Sequence, residues 1–117
     1  MIRLSSDLGL IAVDSDVYTC IAGNAANNCF GVKGMCMRSM TDGLMHLLRP
    51  ESLTKGVKVE FLEDGSISID LHIMVDQGIN IAAIGESIIH RVKHDVEQST
   101  GTTVKAVNIY VDSVSED

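Results

Sequence analysis

Aromatic side chains are almost missing: the 117 residues include no Trp, two Tyr and two Phe. Few rings are left to stack on bases or sugars, so the core has to be built from Val, Ile, Leu, Met and Ala. Positive charge is also short. Nine Lys and Arg stand against sixteen Asp and Glu, a formal net charge of −7. That is the wrong sign for general attraction to nucleic acid or anionic lipid, and no run of Lys or Arg makes a local exception. No stretch approaches the roughly 18 uninterrupted apolar residues that span a bilayer. Residues 1–7 lack the apolar run of a signal peptide. The three cysteines, Cys20, Cys29 and Cys36, are an odd count without paired zinc spacing, which fits reduced thiols rather than a disulfide framework. The expectation is a cytoplasmic protein whose contact with a membrane, if any, comes through a partner.

What is present is globular. The chain is 45% hydrophobic and 21% charged, and its length suits one domain, residues 1–117, around one core. Residues 8–13 form a short apolar run with edge-strand character. Asp14 follows as an N-cap, with Asp16 in the first turn and Val17, Ile21 and Ala25 at the helical period. Asn27 and Asn28 end that helix. Phe30 to Met35 reads as a turn into a second strand. Residues 39–56 hold Leu44, Met45, Leu47 and Leu48, which suit a short helical turn closed by Pro50, within an excursion that is mobile or packs on a partner. Val57, Val59 and Phe61 then alternate with Lys58 and Glu60, and Glu63-Asp64-Gly65 turns the chain into a strand presenting Ile67, Ile69, Leu71, Ile73 and Val75 on one face. Asn80 caps a second helix whose stripe is Ile81, Ile84, Ile88, Val92 and Val96. Gly101 stops it, and Val104, Val107, Ile109 and Val111 complete a last strand. The order β-α-β-β-β-α-β predicts an α+β fold: a single-layer, mostly antiparallel sheet with two main helices packed on one face.

Residue patterns able to carry chemistry are few. His90 and His94 are four apart on the second helix, and Glu86 or Glu97 offers a carboxylate, a spacing able to hold a metal. The helical wheel turns Glu86, His90, Lys93 and Glu97 away from the apolar stripe, so a solvated face is the expected reading. For His72 and His46 the sequence identifies no interaction. Cys29, at a helix C-terminus, meets a dipole that favours the thiol over the thiolate, and it and Cys36 read as small apolar filler. Gly31-Val32-Lys33-Gly34 spells the G-x-x-G with which KH domains clamp a nucleic-acid backbone. That loop joins two helices, whereas a strand follows here, so a tight turn is the favoured reading. No catalytic set and no cofactor site is identified. Met35, Met37, Met40, Leu44 and Met45 cluster in and around the excursion and form the leading candidate for an interaction patch, since methionine-rich surfaces adapt to partners.

The ordered set of short motifs resembles the alkaline shock protein family, the Gls-type envelope stress response family of Gram-positive bacteria. The resemblance runs through Ile11-Ala12-Val13-Asp14-Ser15-Asp16-Val17, then Ile21-Ala22, Ala25-Ala26 and Gly31-Val32. It continues in Gly56-Val57-Lys58-Val59-Glu60, Asp64-Gly65, Ile69-Asp70-Leu71 and Gly78. Val92-Lys93, Val96-Glu97, Thr100-Gly101 and Val107-Asn108-Ile109-Tyr110-Val111 close it. Asp14 departs from the usual Ser and Phe30 from a frequent Pro, each keeping the job of capping or turning. The resemblance implies a non-enzymatic cytosolic protein of cell-envelope homeostasis, held at the membrane in some relatives by a separate anchor protein; exposed edge strands near residues 8–13 or 107–111 would suit self-association. Two rival expectations are a nucleic-acid module using the Gly31–Gly34 turn and a metal-binding protein using His90 and His94.

Overall fold

The computed structural model describes residues 2–38, 45–48 and 54–116. The elements of the expected order β-α-β-β-β-α-β are there, with two strands added. Strands β1 (Ile2–Ser6) and β2 (Gly9–Val13) form an antiparallel hairpin that is its own two-stranded sheet, outside the main one. Its turn is closed locally: the Ser6 hydroxyl donates to Gly9 O at 3.2 Å and its Oγ accepts from Leu8 N at 3.2 Å. Helix α1 (Ser15–Asn27) follows, with the Asp14 carboxylate accepting from Asp16 N at 3.2 Å, the expected cap.

Strand β3 (Val32–Arg38) begins directly after Gly31, whose φ of +87° supplies the left-handed turn that ends the helical segment. Strand β4 (Met45–Leu47) pairs antiparallel with β3. The helical turn expected around Leu44 to Leu48 is therefore corrected where the structure describes it. Pairing to β3 overrides the local helical pattern: Leu48 N donates to Met35 O at 2.7 Å, and Leu47 packs over Gly34, where a Cβ would stand 2.7 Å from Leu47 Cδ1. The remainder of that expected excursion, residues 39–44 and 49–53, lies outside the described residues.

Strands β5 (Val57–Phe61) and β6 (Ile67–Val75) form the expected hairpin, in register from Val57 opposite Leu71 to Phe61 opposite Ile67. Its turn is fixed by Asp64, whose Oδ1 accepts from Ser66 N at 3.0 Å and from the Ser66 hydroxyl at 2.5 Å. Those hydrogen bonds to the charged form hold the Asp64 carboxyl below the usual carboxylate range. Helix α2 (Ile81–Thr100) crosses from β6 to β7 (Val104–Val114), which pairs parallel to β6 along its length. A helical crossover is what a parallel pair requires. Strand β6 is thus central, with β7 on one edge and β5 and β3 sharing the other.

Both helices cover one face of the main sheet. From β6, Ile67, Ile69, Leu71, Ile73 and Val75 are all fully buried against Ile88, Val92 and Val96 of α2 and Tyr18, Ala22 and Ala26 of α1. The small residues of α1 let the two helices approach. Tyr18 meets Phe61 edge to face, with ring centroids 5.8 Å apart.

Candidate interaction surface

Helix α2 and strand β7 together build the most distinctive surface feature. Asn80 caps α2 by accepting from Ala83 N at 3.1 Å, and Gly101, at φ +73°, ends it. Between these limits the Ile84–Ile88–Val92–Val96 stripe is buried, so the helix is rotationally fixed on the sheet. The neighbouring stripe of Ile81, Gly85 and Ile89 then overhangs the outer edge of β7. Among the described residues β7 pairs only with β6, leaving that edge open. At its start the edge is closed by side chains: Lys93 Nζ donates to Val104 O at 3.1 Å, and Glu97 accepts from Val104 N at 2.9 Å. Further along, α2 and β7 enclose a groove of about 490 Å³ lined by Ile81, Gly85, Ile89, Tyr110 and Val111, with Glu86 at its rim. Ile81, on the helix side of the groove, is 45% exposed. On the other flank of α2, Ile79, Ala83 and Ile84 line a second apolar hollow beside Phe30, itself 86% exposed.

The face of the sheet away from the helices carries a polar platform. His72 stacks on Tyr110 with ring centroids 4.9 Å apart and an interplanar angle of 15°. His72 Nδ1 lies 2.7 Å from Asp112 Oδ2, and Asn108 Nδ2 donates to Asp70 at 2.9 Å. Sequence reasoning left His72 unassigned. The missing signal is the parallel register that sets His72 opposite Tyr110, which alternation within single strands does not reveal.

The expected patch divides. Met35 is fully buried and belongs to the core between sheet and helices, so it is withdrawn from the patch: the alternation of β3 points it inward. Met37 is 38% exposed. Met40 and Leu44 lie outside the described residues, and Met45 contributes backbone to β4.

The rival sites resolve into ordinary structure. His90 reaches Glu86 at 3.5 Å, with both side chains at least 75% exposed, and His94 contacts Asp95 at 3.3 Å. These are solvated helix pairs of small energetic weight. Among the described residues no three His, Cys, Asp or Glu side chains converge as metal ligands. The Gly31–Gly34 segment is a helix-to-strand turn, not a loop between two helices. Cys29 donates to Ala25 O at 3.2 Å, and burial pushes its thiol up. Burial, reinforced by the nearby Asp112 carboxylate, pushes Cys36 up to about 11. Neither is an activated nucleophile. No helix among the described residues is long and apolar enough to cross a membrane.

Comparison with known proteins agrees with this frame. Two solved MamM CTD variants, one a manganese form, superpose with TM-scores of 0.50 and 0.51 at 14% identity, covering 84% and 86% of this chain and 93% and 99% of theirs. At that identity the likeness concerns fold alone. The uncharacterized protein YloU of Bacillus subtilis is 37% identical over 114 residues, 97% of this chain and 94% of its own length. The uncharacterized protein Spy1614 of Streptococcus pyogenes is 34% identical over 97% of this chain and 93% of its own. The model of the alkaline shock protein family, described as having a cell envelope-related function, matches residues 3–116. With nearly its whole length matched, this chain belongs to the alkaline shock protein family.

Proposed function

We propose that this chain is a non-enzymatic docking module of cell-envelope homeostasis, working in the cytoplasm by self-association and by contact with protein partners, a membrane anchor protein among them. The observation that carries the reading is the open edge of β7 beneath the Ile81–Gly85–Ile89 stripe of α2. An unpaired strand edge supplies main-chain hydrogen bonds to an incoming segment, and the adjoining apolar groove supplies selectivity for its side chains. The thiols of Cys29 and Cys36, held protonated, and the dispersed, solvated histidines of α2 favour binding over turnover. Met37, with Met40, Leu44 and Met45, is retained as a second proposed contact region.

The test is affinity purification from the native host with the unaltered chain and with Gly85→Gln. A Cβ at Gly85 meets nothing within 4 Å, so the variant keeps the fold, gains helix propensity and places a side chain in the groove. Loss of captured envelope proteins in the variant is expected. An identical set of partners would refute the reading.

A further inference from the structure

The N-terminal hairpin is the least explained part of the molecule. A lone two-stranded ribbon is marginal in water and needs its apolar side covered. Here Leu4 and Ile11 sit opposite one another on one side of the ribbon, 38% and 57% exposed. Leu10, on the other side, is 57% exposed, and Leu8, at the tip, is fully exposed. Among the hairpin's described side chains, only Val13, at its base, packs against the core. The molecule is correspondingly long, 54 × 33 × 23 Å. One chain therefore carries both an apolar ribbon without a bed and an apolar bed without a ribbon.

We propose that the β1–β2 arm of one copy lies in the α2–β7 groove of a second copy, adding its strands to the open edge of β7. This rests on the docking reading above and names its occupant. The dimensions agree: each arm strand is five residues long, roughly 17 Å, which matches the five-residue edge at residues 107–111. The chemistry agrees as well. Leu4 and Ile11 meet Ile81, Ile89 and Val111, apolar on apolar.

Light scattering across a concentration series tests this on the full chain. The unaltered protein should gain mass with concentration. Ile11→Asp in the arm and Gly85→Gln in the groove should each weaken association about tenfold or more, with melting unchanged. A protein monomeric at every concentration, or association indifferent to Ile11→Asp, would overturn the arm as occupant. Association lost in Gly85→Gln but unaffected by Ile11→Asp would do so while leaving the groove as a docking site intact. If Gly85→Gln changes neither self-association nor partner capture, the docking reading itself fails.

Discussion

The hydroxyls of Tyr18 and Thr102 lie 2.7 Å apart, 84 residues distant in sequence and almost wholly removed from solvent. This one contact ties the first turn of α1 to the connection between α2 and β7. Tyr18→Phe leaves the Thr102 hydroxyl buried without that partner and should cost about 1–3 kcal/mol. Thr102→Val should cost a similar amount. Because the double variant removes both polar groups, its cost should fall well below the sum, a coupling readable from urea unfolding.

Ile88 is fully buried in the stripe that fixes α2 on the sheet. Ile88→Ala should lower stability by roughly 2–5 kcal/mol, through lost transfer energy and the cavity left behind. His90→Ala, two residues on and facing water, should stay within about 0.5 kcal/mol of the unaltered protein. Denaturant midpoints of the two variants decide between a packing role and a surface role.

Two glycines hold left-handed backbone that a side chain resists. Gly101→Ala places a Cβ at φ +73° with open space around it and should cost roughly 1–2 kcal/mol from backbone strain alone. Gly31→Ala meets the same strain at φ +87°, and its Cβ would also crowd two Ile84 carbons at 3.2 Å. It should be the more harmful of the two in thermal melts.

Much of this frame was legible in the residues. The caps at Asp14 and Asn80, the stop at Gly101 and the alternation of Ile67 through Val75 are local signals, and each appears as read. What was illegible depends on pairing between distant segments. Strand β4 looks helical until β3 offers it a hydrogen-bonding edge. The hairpin partner of β2 lacks the Asn-Gly or Asp-Gly turn that announces such a ribbon, Asp7-Leu8 standing there instead. The groove arises from the parallel register of β7 on β6 together with the rotation of α2, so no single segment encodes it. Met35 was misplaced for a related reason: methionine composition alone does not say which side of β3 faces the helices.

Cys36 gives the fold a defined sensitivity to alkali. Its thiol is raised from 9.0 to about 11, first by burial and then by the Asp112 carboxylate. Between those values the unfolded chain has released this proton while the folded chain still holds it. The protein's preference for the protonated thiol is therefore complete below pH 9 and fades as the pH climbs toward 11. Cys36→Ala should flatten this part of the stability–pH curve, measured as urea midpoints across that window. At neutral pH, exposed Cys20 should be alkylated well before Cys36.

Hydrogen exchange should separate the two sheets. Strand β6 is paired on both edges and buried at every second residue, so its amides open only with global unfolding. Among the described residues the β1–β2 arm shares no strand pairing with the main sheet and leaves large apolar side chains exposed, so its amides should exchange fastest among the paired strands of a dilute sample. Raising the protein concentration should slow exchange in the arm and along residues 107–111 together, because seating one on the other protects both sets of backbone groups. The β5–β6 hairpin should not respond. Uniform rates across the two sheets, or protection of the arm without protection of β7, would contradict this picture of a ribbon that waits for a second molecule.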